Sequence, residues 1–220
     1  MGIRRTKIEE LLGEVYQTCG QHGYPVLKNN GEMPLNLMPF SKVFNVRDEL
    51  LKVTHVHFFE HDYIFERVWN QPKRYLKKLK EARGVIGVDF SCFFDAPRVV
   101  NIWNVFRNRM MDLLMQKNGI KVIPAIVWGG PDTFDFCFDG VPEGSIVAVS
   151  SHGCLRNGEE LFIQGFEAMI KKLAPSAVVF YGPVPEELKT KYSDKICDYT
   201  VKYCVEEWKK KKLSRAEPEK

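Results

Sequence analysis

The stretch GVIGVDFSCFFDAPRVVNIWNVFRNRMMDLLMQKNGIKVIPAIVW, residues 84–128, reads strand, loop, helix, turn, strand. GVIGVDF is a short, nearly continuous apolar run, the pattern of a strand buried on both faces of a parallel sheet. Pro97 suits the first turn of the following helix, with Asp95 near its N-cap. Within that helix Ile102, Phe106, Met110, Leu113 and Leu114 recur at helical spacing and form the expected core stripe, with Asn104, Arg107 and Asn108 on a neighbouring face. Gly119 ends the helix and VIPAIVW supplies the next strand. Pro124 removes a ladder donor there, so the segment is an edge strand, a bulge, or a strand beginning at Ala125. The whole is one βαβ unit.

Working outward, SIVAVSS and AVVFYG are further strands of the same type, separated by an amphipathic helix over Glu159–Leu173 that stops before Pro175. Pro185–Lys212 has helical character, with Ile196, Tyr199, Val201, Tyr203, Val205 and Trp208 on a partly apolar side. Upstream, VTHVHFFE (residues 53–60) favours a strand through its β-branched and aromatic residues, and Tyr63–Ala82 carries a helical period interrupted at Pro72, giving two short helices or one kinked helix. Lys7–Gly20 reads as a covering helix. Tyr24–Phe40 reads as irregular chain with one extended piece near Leu35–Met38.

Strands alternating with helices imply βαβ crossovers and a parallel sheet. The expected class is therefore α/β, built of parallel (β/α) repeats as an open sheet or an incomplete TIM-like barrel of five or six strands. The expected organisation is a single domain over residues 1–212, with residues 1–40 a helix and wrapping loop, 41–184 the β/α core, 185–212 a C-terminal helix and 213–220 a frayed tail. Neither a GxGxxG fingerprint nor a GxxxxGK[ST] loop occurs, which argues against dinucleotide and P-loop chemistry.

At 220 residues, 45% hydrophobic and 27% charged, the chain has an ordinary globular composition. Its net charge of +4 owes much to the Lys209–Lys212 run, which reads first as a solvated helix end. No apolar run approaches the ~20 residues of a membrane span, and the charged N-terminal stretch lacks an apolar leader core, so a cytoplasmic location is expected. Six cysteines without CxxC or Cys/His spacing read as free thiols, with Cys197 and Cys204 on one helical face.

Taken together, VIGVDFS, NIWNVFRNR, KVIPAIVW, SIVAVSSHG, ELFIQGFEAMI and AVVFYG resemble the domain-of-unknown-function family 4417 of bacteria, archaea and their phages and plasmids. The resemblance spans Pro39–Gly182. It departs at Val88, where the family pattern has Pro before the strand-end acid. It implies a prokaryotic or phage origin and no particular activity.

Parallel α/β folds bind ligands beyond the carboxyl ends of their strands. Those ends supply His57 or Glu60, Asp89 with Ser91, Trp128, Ser150 with Ser151 and His152, and Tyr181. With Asn104, and with Arg107 as an anion anchor, they would form a cleft for a small polar or anionic ligand. The plainer alternative has Asp89 as a cap, Arg107 paired with Asp89 or Asp95, and Trp128 and Tyr181 in the core. If the protein is an enzyme, a hydrolase is the class suggested, with Asp89 as general base or metal ligand and Glu60 as second carboxylate. A divalent metal would suit such acids, and His55 and His57, two apart on a strand, offer half of a metal site. The competing class is a non-catalytic nucleic-acid-binding protein of a mobile element, using Arg98, Arg107, Arg109, the Lys77–Lys80 cluster and the Lys209 run. The substrate and the oligomeric state are not written in the sequence.

Overall fold

The computed structural model describes residues 16–199 together with Ile8, Leu12 and Gly13. A short antiparallel pair, β1 (Thr18–Cys19) and β2 (Tyr24–Pro25), stands at the start. The helix expected over Lys7–Gly20 therefore gives way to a strand before Gly20, and most of its remaining length lies outside the described residues.

Seven parallel strands follow in two sheets. β3 (Leu37–Pro39), β4 (His55–His57), β5 (Gly84–Ile86) and β6 (Val122–Ile123) pair in that order, and β7 (Ile146–Ser150), β8 (Ala177–Tyr181) and β9 (Ile196–Tyr199) pair in theirs. The order across each sheet is the order along the chain, as successive β/α repeats require. Pro124 sits where the two sheets meet. Val122 and Ile123 pair with β5, whereas one residue past the proline Ala125 bridges Ala148 of β7. The Pro124 carbonyl accepts from the Ala148 N–H at 2.9 Å, and the Ile126 N–H donates to the Ala148 carbonyl at 2.8 Å. The residue that cannot donate thus marks the hand-over from one partner to the next.

The helices are α1 (Asp48–Leu51), α2 (Asp62–Asn70), α3 (Pro72–Leu79), α4 (Arg98–Lys117), α5 (Leu155–Leu173) and α6 (Glu186–Lys191). Pro72 begins α3, so Tyr63–Ala82 forms two helices rather than one. Helix α4 starts at Arg98 with Pro97 as N-cap and no side-chain capping bond, so Asp95 does not cap it.

Three expectations are corrected. The described residues hold seven parallel strands rather than five or six. The helix expected from Pro185 onward ends at Lys191, and Ile196–Tyr199 is instead a strand in register with Val178–Tyr181. Residues 200–212, including Cys204, Trp208 and the Lys209–Lys212 run, lie outside the described residues. Lastly, the apolar stripe of α4 does reach the core, with Met110, Leu113 and Leu114 buried and Ile102 and Phe106 packed against it partly buried, but the neighbouring polar face, Asn101, Asn104, Asn108, Arg109 and Asp112, is buried as well.

The sheets are buried on both faces. One face, with Val56, Val85, Val122, Val147 and Val178, joins the large core beneath the helices. The other draws Leu37, Phe59, Ile86, Ile123, Ala148 and Val179 from six different strand segments into one apolar cluster. Adjacent residues such as Val85 and Ile86 point into different cores, which is the alternation a doubly covered strand produces. The Tyr199 hydroxyl donates to the Pro34 carbonyl at 2.7 Å, bringing β9 against the chain entering β3. No ladder joins β9 to β3 among the described residues, so the parallel sheets are not closed into a barrel by backbone pairing.

Candidate functional site at the carboxyl ends of the strands

After β5 the chain leaves the sheet as Gly87–Phe93 and is held by side chains of α4. Asp112 Oδ1 accepts the Val88 N–H at 3.2 Å. Asn108 accepts the Phe90 N–H at 2.9 Å and donates to the Phe90 carbonyl at 3.2 Å. Asn104 donates to the Ser91 carbonyl at 2.6 Å, and Asn101 accepts from and donates to Phe93 at 3.0 and 2.8 Å. Spacings of three, four and four place these four residues along one face of the helix. They satisfy backbone groups that no neighbouring strand reaches, which is why a polar face can be buried here. Gly87 makes the approach possible, because a Cβ there would stand 2.4 Å from Asp112 Oδ1.

This scaffold presents Asp89. Its side chain is recessed but retains access to solvent, and its carboxylate accepts no hydrogen bond among the described residues. Burial holds its pKa well above the ordinary carboxylate range, and the nearby acids Asp62 and Asp112 push it further in the same direction. Asp89 in turn raises the thiols of Cys92 and Cys154, although burial is the larger cause for both.

Ser91 is anchored rather than free: its N–H and hydroxyl donate to the two carboxylate oxygens of Asp62 at 3.1 and 2.9 Å. Arg107 stacks over the Phe90 ring at 3.6 Å, donates to Asn104 Oδ1 at 2.5 Å and lies 3.7 Å from a Glu66 oxygen. It pairs with neither Asp89 nor Asp95. Glu60 accepts the Ser41 N–H at 2.9 Å.

A second group gathers at β4, β7 and β8. The Tyr181 ring centroid lies 4.6 Å from His57, 5.3 Å from Phe59 and 5.0 Å from His152. His57 is fully buried and Nδ1 accepts the Phe59 N–H at 3.2 Å, which places the proton of the neutral ring on Nε2; that atom is buried without a partner. Burial, and then the charge of His152, lower the His57 pKa to about 3, so the ring is neutral across the physiological range. Ser151 donates to the Pro183 carbonyl at 2.7 Å, and Ser150 Oγ accepts the His152 N–H at 3.2 Å. Trp128 packs against Phe162 of α5 at 5.2 Å and against the backbone of Gly165.

His55 lies two residues before His57 on β4, toward Arg83, Glu32 and Lys121, and burial lowers its pKa to about 4. No cluster of three or more metal-ligating side chains occurs among the described residues. Sequence reasoning missed Asn101 and Asp112, and it read Arg109 as a nucleic-acid contact, whereas its fully buried guanidinium donates to the carbonyls of Asp139, Ala125 and Cys137 at 2.9, 3.3 and 2.9 Å. The polar residues at helical spacing from Asn101 to Asp112 were the available signal.

The family assignment follows from the match of residues 16–200 to the Domain of unknown function (DUF4417). The chain belongs to the DUF4417 family. The match reaches beyond Pro39–Gly182 at both ends and takes in β1, β2 and β9. Among curated relatives, this DUF4417 chain is 42% identical over 129 residues to the Gene 1 protein of Mycobacterium phage L5, covering 58% of this chain and 56% of that protein. It is 34% identical over 169 residues to the Gene 1 protein of Mycobacterium phage D29, covering 76% of this chain and 63% of that protein. The DUF4417 chain thus spans less than two thirds of either relative. No solved structure matches it. No helix of the described residues is long and apolar enough to cross a membrane.

Proposed function

We propose that this DUF4417 protein binds a small polar ligand at the carboxyl ends of its parallel strands, with Asp89 as the central contact and His57, His152 and Tyr181 as a second contact group. The observation that carries the reading is the Asp89 carboxyl: recessed, without a hydrogen-bond partner among the described residues, and set on a segment that four side chains of α4 hold in place. A carboxyl whose pKa is raised by burial holds its proton at higher pH than an ordinary aspartate, so it can donate a hydrogen bond to an anionic or carbonyl oxygen or act as an acid where an ordinary aspartate would already be ionised. The unpartnered Nε2–H of His57 is a second donor that favours a ligand acceptor over an unsatisfied buried group. Strands curving as an incomplete barrel within a single domain would bring the two groups to one mouth. Hydrolysis is the reaction class this arrangement suits best, with Asp89 as the proton-transferring group and Glu60 as the candidate second carboxylate.

The test is a thermal-shift screen of sugar phosphates, mononucleotides and dicarboxylates, followed by calorimetry of any hit against wild type and Asp89→Asn. A hit whose affinity falls at least tenfold in Asp89→Asn, with unchanged circular dichroism, supports the site. Equal affinity in the two proteins removes it. Hydrolysis is tested separately with bis(p-nitrophenyl) phosphate and p-nitrophenyl glycosides.

A further inference from the structure

Of the cations suggested by sequence for nucleic-acid contact, three are engaged by the fold itself. Arg109 is buried against carbonyls, Arg107 is stacked and paired, and Arg98 pairs with Asp135 at 2.6 Å while lying over Phe136. Helix α3 differs. Residues 72–83, PKRYLKKLKEAR, hold six basic side chains and one acidic, a net of +5 against +4 for the whole chain. Its apolar residues Tyr75, Leu76 and Leu79 are buried, which turns Lys73, Lys77 and Lys80 outward. Lys78 pairs with Asp48, but Lys73, Lys77 and Lys80 form no ion pair among the described residues. These three, with Leu76, Leu114 and Asn118, line one open groove of about 320 Å³ between α3 and α4.

We propose that this groove is a docking surface for the phosphate backbone of double-stranded DNA, independent of the Asp89 site. Positions 73, 77 and 80 fall on one helical face and span about 10 Å of axis at 1.5 Å per residue. Laid along the duplex axis, that length passes about three phosphates of one strand, at about 3.4 Å of axis each. Three ammonium groups held together without carboxylates to neutralise them repel one another, and a row of phosphates relieves that repulsion while releasing condensed counterions. The contact is made by lysines to phosphates, with Asn118 engaged on the Leu114 carbonyl, so it is sequence-independent.

The experiment is fluorescence anisotropy of a labelled 30-base-pair duplex of random sequence between 50 and 200 mM salt, using the full chain. Wild type should bind with log Kd rising linearly with log[salt]. In the Lys73→Ala/Lys77→Ala/Lys80→Ala variant that slope should fall by about 2.7, three phosphates at 0.9 each, whereas Lys171→Ala/Lys172→Ala on α5 should leave it unchanged. Absence of binding, a flat salt response, an equal slope in the triple variant, or equal losses in both variants would overturn the proposal. So would competition by inorganic tripolyphosphate at concentrations matched to duplex phosphate, because the groove would then be a site for a free phosphate chain. A single Lys77→Glu replacement gives an independent reading and should weaken binding more than Lys77→Ala.

Discussion

Asn108 pairs with Phe90 as a neighbouring strand would, accepting its N–H at 2.9 Å and donating to its carbonyl at 3.2 Å from a fully buried position. Replacing Asn108 by Ala strands both backbone groups in the core. The expected loss is about 2–3 kcal/mol, from two hydrogen bonds and the desolvation of the groups left behind. Urea denaturation followed by circular dichroism measures it. A loss below about 0.5 kcal/mol would mean that water or a neighbour takes the place of the amide.

Asp112 gives the fold a pH dependence of known sign. Burial raises its pKa to about 7, against the opposing pull of Arg109 and the Val88 N–H. Between the unfolded value near 3.8 and this folded value the native carboxyl holds a proton that the unfolded chain has lost. Stability is therefore greatest below about pH 4 for this group and declines as pH rises toward 7, by at most about 1.4 kcal/mol per pH unit. Asp89 contributes a slope of the same sign. In Asp112→Asn the slope should shrink; equal slopes in the two proteins between pH 4 and 7 would refute the assignment.

Gly165 leaves room for Trp128. A Cβ at this position would stand 2.1 Å from the indole Nε1, so Gly165→Ala must displace the ring or shift α5. Despite the helix propensity that alanine brings, the substitution should destabilise by about 1–3 kcal/mol. Near-ultraviolet circular dichroism, which reports tryptophan packing, should change with it. A variant as stable as wild type with an unaltered spectrum would show that the contact is soft.

Ala174 ends α5 in a left-handed conformation, φ +41°, with its N–H donating to the Ile170 carbonyl at 3.0 Å. A Cβ disfavours that backbone by about 1 kcal/mol. Ala174→Gly should therefore raise stability by about 0.5–1 kcal/mol, less the extra freedom glycine gives the unfolded chain. Thermal unfolding provides the comparison, and a lowered midpoint would count against the strain.

Much of the core was legible one strand at a time. GVI, IVAVS and AVVFY are apolar on both faces, and such runs between helices have little choice but to stack in parallel under cover on either side. Of the candidate site, Asp89 stood out because an acid closing an apolar strand must face either a partner or a cleft. The role of α4 was less visible. An Asn on a helix reads as solvent-facing until the irregular chain it will hold is known, and the groups on Val88, Phe90, Ser91 and Phe93 that need satisfying are not written as residue types.

The amino-acid order thus determined by itself the parallel α/β class, the break at Pro72 and the acid that follows β5, although the strand ends at Ile86, three residues before Asp89. Each of these follows from local periodicity, a ring that blocks a hydrogen bond, or the cost of burying charge. Tertiary structure decided three further matters: Ile196–Tyr199 becomes a strand, Arg107 turns to Phe90 and Glu66, and residues 84–128 bury the amide face of their helix. In each case the choice was made by a backbone edge, a ring or a carboxylate far along the chain, whose demand for a partner outweighs local preference.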